Sequence, residues 1–183
     1  MMIGKLYADG GRGKEFFSFE YDTAWLAESD YSVILDPDLG MYNGRQYTPV
    51  DKALFGIFSE SCPDRWGRLL MRRREAILAR KEDRKPRKLD ESDFLLGVYD
   101  ESRMGALRFS IEEQGPFLSY DKALSTPPWA TLRKLENASI AFERDESGLE
   151  EKWLNQLLAQ GSSLGGARPE ATVPAQDGSL WVA

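Results

Sequence analysis

The feature that most constrains this chain is a run of small residues near its end, Gly161-Ser162-Ser163-Leu164-Gly165-Gly166-Ala167-Arg168-Pro169-Glu170-Ala171-Thr172-Val173. It joins an amphipathic helical segment, in which Leu149, Trp153, Leu157 and Leu158 share one face, to a strand-like segment. Small side chains let successive backbone N–H groups converge on an anion, so a loop of this composition can hold a nucleotide's phosphates. The same residues also read as punctuation, with Gly161 ending the helix as a C-cap and Gly165-Gly166 turning into a hairpin. The order helix, loop, hairpin departs from a Walker A motif, where a strand comes first and a helix follows. Gly161 and Gly166 have that motif's spacing, yet Ala167-Arg168 stands where Lys-Ser or Lys-Thr is required. The G-x-G-x-x-G pattern of ordinary protein kinases is also absent.

Several chemistries are excluded by composition. The 183 residues contain no histidine and a single cysteine, Cys62. Neither a Ser-His-Asp triad nor a Cys-His pair can be assembled, and no histidine-ligated zinc site or internal disulfide can form. An apolar share of 42% is ordinary for a globular chain with a real core. No run approaches the roughly 18 apolar residues of a membrane span. The N-terminal residues turn polar too soon for a signal peptide, so a soluble, cytoplasmic protein without membrane association is expected.

The net charge of −6 is unevenly spread. Between Arg65 and Lys88 stand eleven Lys or Arg against Glu75, Glu82 and Asp83. This segment reads either as a patch for nucleic acid, an acidic partner or a phosphorylated ligand, or as a solvated helix whose arginine stems cover apolar surface. It lacks the interleaved aromatics that would suggest stacking on single strands.

Local patterns place the elements. Residues 2–9 and 14–21 read as a hairpin turned at Asp9-Gly10-Gly11-Arg12-Gly13, with Phe17, Phe19 and Tyr21 on one face. Tyr31 to Leu35 reads as a strand before the Asp36-Pro37-Asp38-Leu39-Gly40 turn, and Ala53 to Phe58 as a short apolar segment. Trp66, Leu69, Leu70, Ile77 and Leu78 form a helical stripe with Asp64 or Ser61 as N-cap. A charged connector broken by Pro86 follows, then a short helix from Asp90 through Leu96 and a strand over Met104 to Ser110. Pro127-Pro128 marks a change to helical sequence, with one helix over Trp129 to Arg144 and a second capped by Ser147 and ending at Gly161. Ala171 to Pro174 and Ser179 to Ala183 close the chain as a hairpin around Gln176-Asp177-Gly178.

Four segments, in order, carry a resemblance to a known family. They are Phe17 to Tyr21, Phe55 to Leu70 with its core Pro63-Asp64-Arg65-Trp66-Gly67-Arg68, Arg103 to Phe109, and Gly161 to Thr172. Together they are similar to the HipA-like serine/threonine protein kinases of bacterial toxin-antitoxin systems. The resemblance implies an α+β fold: a β-rich N-terminal subdomain over residues 1–110, then the start of a kinase-like nucleotide-binding lobe over 111–183. It implies that Ser162, Ser163, Leu164, Gly165, Gly166, Ala167 and Arg168 cover the phosphates of ATP, with Mg²⁺ as the second cofactor, in the full-length parent; the stretch to Ala183 is not expected to hold either well by itself. Ser163 aligns with the loop serine that relatives autophosphorylate; the added charge would oppose ATP binding.

Partners implied are a protein substrate and a DNA-binding, HipB-like antitoxin, with nucleic acid reached through the complex or through Arg65 to Lys88. Glu170 departs from the family, many of whose members carry a lysine after the loop proline. No segment here matches the family's nucleotide lysine, its catalytic Asp or its Mg²⁺-binding acids, so the expected parent is a kinase and the stretch to Ala183 is expected to be catalytically silent. Asp64 and Asp177 read better as cap and turn residues than as catalytic groups. A non-catalytic module that binds an antitoxin or a kinase partner is the alternative.

Overall fold

The computed structural model describes residues 1–11, 14–28, 34–100, 103 and 105–118, then positions 133, 136, 137, 139, 140, 144 and 157, and finally 172–174, 177 and 179–182. The described chain is α+β and divides into two compact units. The first comprises Met1–Glu60 with Asp90–Asp93, and the second Ser61–Leu89 with Phe94–Ala183. The expected second domain, 111–183, lies mostly outside the described residues.

The first unit is built on a hairpin. Strand β1, Gly4–Gly11, pairs antiparallel with β2, Lys14–Tyr21, in an unbroken register from Gly4 opposite Tyr21 to Gly11 opposite Lys14. Alternation puts Phe17, Phe19 and Tyr21 on one face, where all three are buried. Gly4 has to be glycine, because a Cβ there would run into the Phe19 ring and the Glu20 carbonyl. The two-residue strand β3, Gln46–Tyr47, adds to the other side of β2 and completes a sheet of order β1-β2-β3.

Two short helices close this core, and both begin on an aspartate. Asp22 Oδ1 accepts from the backbone N–H groups of Ala24 and Trp25, both at 3.0 Å, which starts α1, Thr23–Glu28. Its buried Trp25 stacks on Tyr21 with ring centroids 5.1 Å apart. Asp36 is buried and accepts from Asp38 N at 2.9 Å and from Ile57 N at 2.7 Å, so one carboxylate shapes a turn and caps α2, Gly56–Glu60. Phe58 of α2 meets Phe19 and Phe55, and the core is a cluster of aromatic rings. Gln46 ties the intervening loop down by exchanging two hydrogen bonds with Gly40, at 2.7 and 2.8 Å.

The second unit is organised by α3, Arg65–Lys81, the helix that the stripe predicts, although Leu69 of that stripe is exposed. Trp66, Leu70 and Ala79 are buried along it. Helix α4, Glu91–Gly97, is where the chain passes from the first unit back into the second. Its residues Phe94 and Leu95 are buried, as are Val98 and Tyr99 just beyond. The last elements are β4, Thr172–Pro174, and β5, Leu180–Val182, an antiparallel pair with Val173 opposite Trp181. This is the closing hairpin read from the Asp-Gly turn.

Two sequence expectations are corrected. Ile34 and Leu35 are not in a strand, and 31–33, the rest of that segment, lie outside the described residues. Residues 105–110 belong to no sheet among the described residues, although their burial alternates as a strand's would. Gly105 has φ +81°, a left-handed conformation that breaks an extended path at its start. Met104 is itself outside the described residues. Of the two helices expected after Pro127-Pro128, the described positions 133, 136, 137, 139, 140 and 157 are helical.

Candidate functional site

The residues expected to cover a nucleotide's phosphates, Ser162, Ser163, Leu164, Gly165, Gly166, Ala167 and Arg168, lie outside the described residues. What the structure shows of that region is the hairpin they lead into. Asp177 accepts from Ser179 N at 2.9 Å and from Ser179 Oγ at 2.6 Å, a turn that fixes the start of β5. The Ser179 hydroxyl, and then its N–H, hold the Asp177 carboxyl below the usual carboxylate range. Asp177 is a turn residue, as read from the sequence.

The Pro63-Asp64-Arg65-Trp66-Gly67-Arg68 block is laid out as a helix start. Asp64, with extended backbone at φ −67° and ψ −173°, is the N-cap and accepts from Gly67 N at 2.7 Å. Gly67 is buried, and Arg68 folds back to donate from Nε to the Pro63 carbonyl at 3.2 Å. The Arg68 and Arg72 guanidinium carbons lie 4.6 and 5.4 Å from the centroid of the Phe94 ring. One aromatic face of α4 is thus covered by two cations of α3.

Among the described residues of this unit is a buried arginine. Arg103 Nη1 donates to the Ser61 carbonyl at 3.1 Å and the Leu95 carbonyl at 2.7 Å, and Nη2 donates to the Val98 carbonyl at 3.1 Å. Its guanidinium also lies 4.7 Å from the Phe109 ring centroid. Leu95 and Val98 are at the end of α4, where carbonyls lack helical partners, so the cation satisfies groups that burial would otherwise leave costly. Burial pulls the Arg103 pKa below its ordinary value, opposed by the Asp100 carboxylate. The Asp100 side chain is itself buried, and Oδ2 accepts from Arg108 Nε at 2.7 Å and from Arg108 Nη2. Arg108 in turn lies over Phe117 at 4.0 Å. Among the described residues Asp100 Oδ1 and Arg103 Nε have no hydrogen-bond partner.

The basic segment resolves into two parts. Glu75, the one acid within α3, is bound by Arg84 through Nη1 and, at 3.2 Å, through Nη2, and accepts from Arg87 N at 2.9 Å. These contacts, the Arg84 hydrogen bond foremost, lower its pKa from 4.5 to about 2 and raise that of Arg84. The acid therefore ties the connector back onto the helix. Arg65, Arg72, Arg73 and Arg80 are exposed, and their spacing puts them along one side of α3 with the half-exposed Leu69 between them. This side carries no acid, and over about 15 residues it extends roughly 22 Å.

Among the described residues no group of three or more histidines, cysteines, aspartates or glutamates is placed to hold a metal, and no helix is long and apolar enough to cross a membrane. The Arg103, Asp100 and Arg108 network was missed by charge counting, though Arg103 and Arg108 fall inside one of the segments that carry the family resemblance. Comparison of the chain with known protein families, with curated proteins and with solved structures finds no match in any of the three.

Proposed function

We propose that this chain is the N-terminal part of a HipA-like serine/threonine protein kinase of a bacterial toxin-antitoxin system. In this reading Ser162 to Arg168 cover the phosphates of ATP with Mg²⁺, and Ser163 is the site of autophosphorylation. The kinase acts in the cytoplasm on a hydroxyl of a protein substrate and is held in check by a DNA-binding antitoxin.

One observation carries it. Arg103, which opens one of the quoted segments, donates to the carbonyl of Ser61, inside another, and Phe109 at the far end of the first packs on the same guanidinium. Two stretches separated by some 40 residues thus behave as parts of one unit, as segments of a single family pattern should. The helix-loop-hairpin order supports the assignment of the loop, since β4 and β5 follow it as a short antiparallel pair. The acid-free side of α3 supports an anionic contact, either acidic protein or nucleic acid.

The test is a calorimetric titration of the chain with ATP, with and without Mg²⁺. Weak binding is expected, since this stretch has no match to the family's nucleotide lysine or Mg²⁺-binding acids, and Ser163→Asp, which puts negative charge where phosphate should sit, should weaken it at least tenfold further. Ser59→Asp, the same change on the exposed part of α2, should leave it unaltered. Absence of ATP binding, or equal binding by Ser163→Asp, would remove the reading.

A further inference from the structure

We propose that β1 is a dimerisation edge, along which a second copy of this chain adds its own β1 antiparallel to make one continuous sheet. The inference rests on the first unit alone and is independent of the kinase reading.

The backbone directions of the sheet fix which groups are on offer. Asp22 N donates to Ile3 O at 2.9 Å, which makes Ile3 and Asp22 a hydrogen-bonded pair one step beyond the β1–β2 register. Such pairs alternate along an antiparallel ladder, so Lys5, Tyr7 and Asp9 turn their N–H and C=O groups toward β2. On the other side of β2, Thr48 N donates to Phe17 O at 3.2 Å, so odd-numbered residues of β2 face β3 and even-numbered ones face β1, in agreement. It follows that Gly4, Leu6, Ala8 and Gly10 direct theirs outward.

Among the described residues no strand pairs with that side. Sheet edges are ordinarily blunted by brevity, proline, bulges, a covering segment or charged side chains, lysine above all; the charges that β1 carries, Lys5 and Asp9, are of opposite sign. The opposite edge strand, β3, has two residues, whereas β1 has eight, with no proline and an unbroken register.

Side chains choose the occupant. Outward hydrogen bonding by Gly4, Leu6, Ala8 and Gly10 permits a two-fold pairing centred on Tyr7, with Gly4 opposite Gly10 and Leu6 opposite Ala8 of the second copy. Three of these four residues are Gly or Ala, so a neighbouring backbone can approach closely. The same axis sets Lys5 opposite Asp9 of the second copy, twice, in non-hydrogen-bonded positions where Cα atoms are about 4.5 Å apart and opposite charges attract. Lys5 and Asp9 are exposed. Tyr7, on the axis, leans away from the edge: its hydroxyl donates to Glu20 at 3.1 Å, and Arg45 lies over its ring at 3.6 Å. An arrangement that pairs a strand's own charges about its own centre fits a second copy better than an unrelated strand.

The experiment is sedimentation equilibrium on the whole chain. A concentration-dependent dimer is expected. Ala8→Pro removes one outward N–H without touching the β1–β2 ladder and should abolish the dimer while leaving the circular dichroism unchanged. Asp9→Lys places like charges opposite each other and should weaken dimerisation roughly tenfold. The exchange Lys5→Asp with Asp9→Lys should restore it, although the Arg45–Asp9 ion pair within each copy, 3.6 Å long and exposed, stays lost. Tyr7→Cys should form a disulfide-linked dimer on oxidation, with the native Cys62 buried and out of reach. A chain that stays monomeric at its solubility limit, a dimer indifferent to the charge reversal, or a double variant no better than Asp9→Lys would overturn the proposal.

Discussion

The two units are held together by different physics. In the first, rings do most of the work: Phe17, Phe19, Tyr21, Trp25, Phe55 and Phe58 fill one core, and the buried polar groups Asp36 and Gln46 shape the loops around it. In the second, cations are set against carbonyls, carboxylates and ring faces: Arg103 on three carbonyls, Arg108 on Asp100, Arg84 on Glu75, and Arg68 with Arg72 on Phe94. The ring core draws on area removed from water, which pH hardly alters. The ion-linked unit depends on each charge having its partner. Hence the first should respond to lost volume and the second to lost charge.

The largest expected effect tests the first half of that contrast. Phe55 is fully buried, in edge-to-face contact with Phe58 at 6.1 Å. Phe55→Ala should cost about 4 kcal/mol, the sum of lost transfer energy and the cavity left behind. Urea unfolding followed by hydrogen exchange should locate the loss in the first unit and find it the same at pH 4 and pH 7. A loss that varies strongly between those two conditions would show that the ring core is not the pH-indifferent half.

Next comes Arg103→Met, which keeps much of the side chain's length but removes every donor. Three carbonyls, of Ser61, Leu95 and Val98, lose their partner, and Asp100 loses a neighbouring cation. Removing one member of a buried charged arrangement costs about 3 kcal/mol or more. Arg103→Lys should recover little of it, since a single ammonium cannot reproduce a planar fork spread over three acceptors. Full recovery by lysine would mean that charge alone, and not geometry, is what the second unit requires.

The same contrast explains what the amino-acid sequence revealed and what it hid. The β1–β2 hairpin was legible because alternation and a glycine turn are local signals, and α3 because its apolar stripe and Asp64 cap lie within a few residues of each other. The closing β4–β5 hairpin was legible from its Asp-Gly turn for the same reason. Helix α1 was missed: it has six residues and one buried side chain, and its cap is a lone Asp22. The strand expected over 104–110 does alternate in burial from 106 to 110, yet alternation says nothing about whether a neighbouring strand exists. Arg103 was invisible as a core residue for a deeper reason. Its partners are the carbonyls of Ser61, Leu95 and Val98, which carry no side-chain signature, so only the fold discloses why a cation is buried there.

The smallest effect sharpens the comparison most, because it is a matter of sign. With its pKa lowered from 4.5 to about 2, Glu75 binds a proton less readily folded than unfolded. Its contribution is therefore complete above about pH 4.5 and is lost as pH falls toward 2. Glu75→Gln should lower stability at pH 7, where the carboxylate otherwise holds Arg84 and the Arg87 N–H, and the stability curves of variant and parent should converge between pH 4.5 and 2. Exposure of Arg84 keeps the difference modest, since solvent screens the pair. Convergence is the decisive feature: two curves that stay parallel down to pH 2 would mean that Glu75 contributes through packing, and the second unit would then be less dependent on its charges than the arrangement of its side chains indicates.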